Sequence, residues 1–274
     1  MLVLLPPSEG KLAPASGAPV DLATLSLPAL TAPRRKALNA LVKLAKGPRA
    51  TAAGALGLSP GQAGDVDRDR ALKKAPAAPA AEVYAGVLFQ HLDLATLAPG
   101  ALARARAHVL VASALWGVVA LEDRIPAYRL SMGARLPTLT DGGLAAWWRP
   151  ALAKALPDEP GALVVDLRSG TYAAAWRPKR ATTVEVKATT ACGQTISHMA
   201  KAFRGTVARR VLEAPQAPAT PADVAELAHD GGGGRVTLHA PARAGGAWTV
   251  EVIAPPAWAG GTAAVAQPKA GGQS

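Results

Sequence analysis

The chain has 274 residues, half of them hydrophobic, and 30 Lys and Arg against 19 Asp and Glu leave a formal charge of +11. That length buries one large core or two small ones, and the surplus of cations favours a polyanionic partner. Cys192 is the single cysteine, which excludes an internal disulfide and a cysteine-based zinc site, and no run approaches the ~20 apolar residues of a membrane helix.

Residues 2–5 of the opening MLVLLPPSEGK read as a buried strand that stops at Pro6 and Pro7. A P-loop is excluded, because its first glycine would fall at Leu5 and Leu12 stands where the magnesium-binding hydroxyl belongs. What remains is an acid, Glu9, and a base, Lys11, at the carboxyl end of a strand, where open α/β sheets bind ligands. The plainer alternative is a strand exit whose Ser8 caps the next segment. With no basic region before the apolar run and no cleavage site, the reading is a soluble cytoplasmic protein without a signal peptide.

Residues 12–33 are rich in Pro, Ala and Ser and read as a loop. A helix is expected from Pro33 to about Ala53, with Leu38, Leu41, Val42 and Ala45 on one stripe. Six bases and no acid lie between Asp21 and Asp65. Next, the turn GLSPGQA separates two short helical stretches. It has the look of a helix–hairpin–helix loop, whose small residues let backbone N–H groups reach a phosphate, but the signal is weak and an ordinary turn is the favoured alternative. Residues 82–95 read as helical, 108–113 as a central strand, and 141–156 as a helix capped by Thr140 and kinked at Pro150.

Residues 162–167 are a strand ending in DLRSGTY, and TTVEVKATT alternates as another strand. A helix follows at 197–212, then another starting at Thr220 and stopping at Gly231. RVTLHA and TVEVIA form a hairpin, and residues 255–274 are expected to be a disordered tail. Strands and helices interleave, so residues 1–254 fit one compact mixed α/β domain.

Three places carry chemistry. Asp166 and Arg168 alternate onto one face of a strand end, so they pair with each other or Arg168 faces an anion. Ser169 and Tyr172 follow. Ser113, Trp116, Gly117, Asp123, Tyr128 and Arg129 form a second polar stretch. Helix 197–212 places Lys201 and Arg204 on one flank, with Arg209 further along; cations spread in this way suit phosphate binding. The five histidines have no metal-ligand spacing, GxSxG and GxGxxG are absent, and nothing calls for a cofactor or metal.

Together, PPSEGK, VYAGVLF at 83–89, SALWGVVALEDRIPAYRLSM at 113–132, VVDLRSGTY at 164–172 and KAFRGTVAR at 201–209 resemble the YaaA family of peroxide-stress proteins, over roughly residues 1–253. The resemblance implies an α/β domain of unusual topology with a positively charged cleft and a helix–hairpin–helix element near Leu56–Ala63. It also implies duplex DNA binding without sequence preference, and protection from peroxide partly through control of free iron. By matching residue, the cleft would draw on Ser8, Lys11, Tyr84, Gly86, Gly117, Asp123, Tyr128, Arg129, Asp166, Arg168, Ser169, Tyr172, Lys201, Arg204, Gly205 and Arg209. Two departures stand out: Trp116 precedes Gly117 where many members have tyrosine, and Ala120 replaces an arginine, so one phosphate contact is missing and an indole would replace a phenol in stacking. The alternative is an enzyme acting on a nucleic acid, nucleotide or other phosphorylated ligand. There, Glu9, Asp123 or Asp166 would move protons while Lys11 and Arg168 hold the anion. Direct iron sequestration has little support from scattered histidines and one cysteine.

Overall fold

The computed structural model describes residues 1–189, 197–229 and 234–253. Its first strand, β1 (Leu2–Leu5), is buried along its whole length. Fixing such a run of Val and Leu inside a core contributes roughly 1.5–3 kcal/mol per side chain. Strand β1 is an inner strand of the sheet, between β3 and β6.

Helix α1 (Thr31–Lys46) buries the expected stripe of Leu38, Leu41, Val42 and Ala45, and Ala37 with it. It ends at Gly47, and Pro48 leads into α2 (Arg49–Leu56), so the single helix expected over 33–53 is two. Pro48 cannot donate to the helix ladder and restricts Gly47 to an extended conformation, which forces the break. Gly57 closes α2 in the left-handed region at φ 68°. A capping box between Ser59 and Gln62 then orders a one-turn helix before α3 (Asp65–Ala71).

The two-residue strand β2 (Ala78–Pro79) leads into α4 (Ala80–Val83), and Gly86 at φ 120° separates α4 from α5 (Val87–Leu92). The helix expected over 82–95 is broken there. Helix α6 (Pro99–His108) feeds β3 (Val109–Ser113), and a tight turn returns the chain as β4 (Gly117–Ala120), an edge strand the sequence reading took for part of a turn. Strand β5 (Arg124–Ile125) pairs with β2. Helix α7 (Leu144–Ala155) starts three residues later than expected, capped by Gly143, and carries Pro150 inside.

Strand β6 (Leu163–Asp166), the short helix α8 (Gly170–Ala173), β7 (Thr182–Thr189), α9 (Ser197–Glu213) and α10 (Pro221–His229) follow. The hairpin of β8 (Arg235–His239) and β9 (Trp248–Ile253) completes the described chain. The helix stop expected at Gly231 and the tail expected over 255–274 lie outside the described residues.

Among the described residues the main sheet has seven strands, in the order β4-β3-β1-β6-β7-β9-β8. The inner neighbours are parallel, and β4 and β8 are antiparallel edges. This is a single mixed α/β domain. From β1 the chain builds to one side through β3 and later to the other through β6. The carboxyl end of β1 is thus the point where the winding changes direction, and crevices open at such points because the connections part there. Gly205 lets α9 lie against α5: a Cβ there would collide with the Leu88 carbonyl and lie 2.8 Å from the His91 Cβ.

Candidate functional site

A cleft of about 780 Å³ opens at that point. Pro6 to Leu12, directly after β1, form one wall, and Ser169, Thr171 and Tyr172, directly after β6, form another. Leu56 and Gly57 from the end of α2, Ala85 to Phe89 around the start of α5, Arg129 to Gly133, and Lys201 and Arg204 from α9 complete it. Segments separated by up to two hundred residues therefore face one space. The charged residues on it are Lys11, Arg129, Lys201 and Arg204, with Glu9 as the sole acid among the described lining residues.

Lys11 is one of the cleft's part-buried polar residues. Its backbone bridges to Tyr84, and Leu12 N–H donates to the Val83 carbonyl at 2.9 Å, so the loop is pinned as a short strand-like contact. Its ammonium nitrogen donates to the Ser8 carbonyl at 2.8 Å and lies 4.4 Å from the Tyr128 ring centre and 5.6 Å from that of Tyr84. Both rings offer a negative face to a cation. Burial works the other way, followed by repulsion from Arg129, and together they bring the Lys11 pKa down to about 7.

The two tyrosines do not face solvent. Tyr84 OH and Tyr128 OH are 2.9 Å apart, and Tyr128 OH is 2.7 Å from Ser113 Oγ, which accepts N–H bonds from Leu115 and Trp116. Burial pushes both phenols well above their ordinary value. They form a neutral, rigid floor beneath Lys11. Phe89 stacks on Tyr84 at 5.7 Å and extends that floor to the cleft wall. Tyr172, raised to about 12 mainly by burial, stands across the cleft. Ser8 Oγ accepts from Ala85 N–H at 3.1 Å and so ties the β1 loop to the α5 loop.

Arg129 is held by three anchors. Its N–H donates to Asp69 Oδ1 at 2.8 Å, its guanidinium donates to the Glu9 carbonyl at 3.2 Å, and Asp65 Oδ2 lies 3.8 Å from its Nε. Asp69 is fully buried, its Oδ2 has no hydrogen-bond partner among the described residues, and burial raises its pKa to about 7. Sequence reading missed Asp69, because DVDRDR looks like a solvated charged face. The signal was helical spacing: Val66, Asp69 and Leu72 recur every three residues and all are buried.

The remaining sequence candidates divide sharply. Asp166 and Arg168 are a buried bidentate pair, at 2.8 and 2.6 Å, and Arg168 also donates to the Trp176 carbonyl at 2.7 Å. Of the two open alternatives, the structure realises their mutual pairing. Asp123 accepts from Ser26 N–H at 2.7 Å and Ala120 N–H at 2.9 Å, fastening the loop before α1 to the β4 turn. Glu9 is therefore the one candidate carboxylate of the three that faces the cleft. Arg209 lies away from the cleft lining, on the Leu92 and Asp93 carbonyls and 2.8 Å from Glu213. Gly117, at φ 75°, gives space to Trp148, whose ring would lie 2.8 Å from a Cβ there. Trp116 is fully buried with its edge toward Tyr128, so the indole stacks inside the protein and offers no face to a ligand. Among the six bases of the acid-free stretch, Arg34 is internal: it donates to the carbonyls of Ser26, Trp116 and Val118 at 2.7, 3.1 and 2.7 Å. Among the described residues no group of three or more His, Cys, Asp or Glu is placed to hold a metal, and no helix is long and apolar enough to cross a membrane.

Residues 1–231 match the family model described as Peroxide stress protein YaaA. The chain is 46% identical over 262 residues to a UPF0246 protein of Streptomyces coelicolor, which covers 92% of this chain and 98% of that one. A UPF0246 protein of Corynebacterium efficiens is 38% identical over 238 residues, with coverage of 85% and 93%. One from Ruegeria pomeroyi is 34% identical over 160 residues, with coverage of 54% and 62%.

Proposed function

Since this chain belongs to the peroxide stress protein YaaA family, we propose that it serves the peroxide response in the cytoplasm by binding DNA through phosphates drawn into the cleft at the end of β1. One observation carries the reading: four cations from three distant segments, Lys11, Arg129, and Lys201 with Arg204 on α9, share one concavity with a single carboxylate among the described lining residues. Lys201 is exposed and makes no ion pair among the described residues, so its charge is available to an anion. The turn between α2 and α3 contributes Leu56 and Gly57 to the rim, which would bring a helix–hairpin–helix element beside the same backbone.

Cations that neutralise phosphates release counterions, so the affinity for duplex should fall steeply as salt rises. Fluorescence anisotropy of a labelled duplex, titrated between low and moderate salt, tests this. Affinity independent of salt would remove the reading.

A second reading, an enzyme for a nucleotide or other phosphorylated ligand, is favoured by the size of the cleft. A volume of about 780 Å³ suits one small-molecule ligand. With Asp123 and Asp166 committed to structural bonds, reactivity in that reading rests on Lys11 and Glu9.

A further inference from the structure

The anion-binding reading uses Lys11 only as a charge, yet its nitrogen is buried and has no carboxylate partner among the described residues. Its hydrogen-bond acceptors are the carbonyls of Ser8 and Glu9, at 2.8 and 3.5 Å, and no carboxylate pairs with it within ion-pair distance among the described residues. A lysine kept for phosphate alone gains from exposure, because a point charge needs no orientation. Lys11 is instead set in one geometry, between two buried aromatic rings below and the open cleft above. Beside it stands Arg129, which disfavours a second positive charge and is itself suited to hold a phosphate. Lysines so placed act as amine nucleophiles.

We infer that Lys11 is a nucleophile that captures an aldehyde as an imine, and that its ligand class is a phosphorylated sugar aldehyde held by Arg129, Lys201 and Arg204. Ring-opened deoxyribose at an abasic site in DNA is the member of that class that fits the proposed DNA binding, on which this choice of source rests. The neutral Nζ attacks the carbonyl carbon to form a C–N bond. The carbonyl oxygen then leaves as water with the two protons lost by the nitrogen, and a C=N bond remains. No oxidant or reductant is consumed.

Burial is the largest influence on the amine's pH range, and the groups that face it adjust that range. Arg129 and Arg68 disfavour the ammonium, Asp69 and Asp65 favour it, and the Tyr84 and Tyr128 rings lie beneath as neutral phenols. The pKa of about 7 leaves roughly half the amine neutral at pH 7. An ordinary lysine near 10.4 has well under one part in a thousand neutral at that pH.

The test is reductive trapping. The full chain is incubated at pH 7 with a duplex carrying one abasic site, or with free 2-deoxyribose 5-phosphate, and sodium cyanoborohydride as the hydride probe. Modified peptides are then mapped by mass spectrometry. The expected result is adduct at Lys11 at least ~100-fold above any other lysine, with half-maximal trapping near pH 7, and loss of that adduct in Lys11→Arg. Mapping on the unaltered protein keeps the test decisive even where Lys11→Arg folds poorly. Trapping at Lys11 by the free sugar phosphate but not by the abasic duplex supports the amine chemistry and places its ligand outside DNA. Salt-dependent binding of intact duplex with no Lys11 adduct from either probe overturns the amine chemistry and leaves the DNA reading standing. Adduct spread evenly over surface lysines also overturns it.

Discussion

Strands β1 and β6 lie side by side, run in the same direction, and each ends in a polar loop containing an acid and a base. Their outcomes differ. At the end of β6, Asp166 and Arg168 close on each other in a bidentate pair that is almost wholly buried. At the end of β1, Glu9 and Lys11 do not pair; Lys11 turns inward onto carbonyls and aromatic rings while Glu9 stays at the exposed rim. The difference follows from spacing and from neighbours. Asp166 and Arg168 point to one face of a strand, so their side chains meet without any loop rearrangement. Pro6 and Pro7 end β1 early, and the residues beyond it are governed by what they meet: the Tyr84 backbone, the Ser8 carbonyl and Arg129. A charge pair that satisfies itself stabilises a fold, and charges left without a carboxylate partner are the ones a ligand can use.

Breaking the β6 pair should have the largest effect. Arg168→Gln leaves Asp166 buried without its cation and should cost about 3–5 kcal/mol in urea unfolding. A loss below ~1 kcal/mol would mean that the pair does not hold the strand end. Behind the β1 loop, Asp69 carries a pH signature. Its pKa rises from 3.8 to about 7 on folding, so the folded chain keeps a proton that the unfolded chain releases. Stability contributed by that proton is present below pH 4 and declines as pH climbs to 7. Relative to Asp69→Asn, the unaltered protein should therefore lose on the order of 2–4 kcal/mol of unfolding free energy between pH 4 and pH 8. Parallel pH profiles for the two would contradict it.

Next in size, Tyr128→Phe removes the central hydroxyl of the Ser113–Tyr128–Tyr84 chain and leaves two buried hydroxyls short of a partner. It should cost about 1–3 kcal/mol, and Ser113→Ala in the same background should add less than it does alone, which a double-mutant cycle measures. At the small end, Lys201→Gln should change thermal stability by no more than ~0.5 kcal/mol, as expected for an exposed side chain without an ion pair. The same substitution should weaken duplex binding, whereas Arg209→Gln, away from the cleft, should not.

The sheet was largely legible in the sequence because its inner strands are short apolar runs bounded by Pro, Gly or polar residues, as in LVLL and LVVD. Strand β4 was not, since Gly117 to Ala120 is only four residues and its pairing with β3 depends on the room that Gly117 gives Trp148. The α1–α2 break is written in Gly47-Pro48, although the apolar stripe of α1 taken alone reads as one longer helix. At the site, polar residues following apolar strands were visible as Ser8, Lys11, Ser169 and Tyr172, and all four line the cleft. Spacing alone could not decide whether Arg168 faces Asp166 or an anion, nor that Arg34 is consumed by three carbonyls. Those outcomes depend on which loops converge, and convergence is set by the order of strands in the sheet.

The central claim is that the cations of the cleft, and not the basic surplus of the chain at large, meet the phosphates. The direct measurement is the slope of log affinity against log salt for a plain duplex, taken for the unaltered protein, for Lys201→Gln with Arg204→Gln, and for Arg209→Gln with Arg210→Gln, the latter residue being exposed on α9 next to Arg209 and, like it, outside the cleft lining. Each lost phosphate contact lowers the slope by about 0.9, so the cleft pair should lower it by about 2 and the outer pair should leave it unchanged. Equal slopes for the unaltered protein and the cleft pair, or a larger fall for the outer pair, would contradict the account.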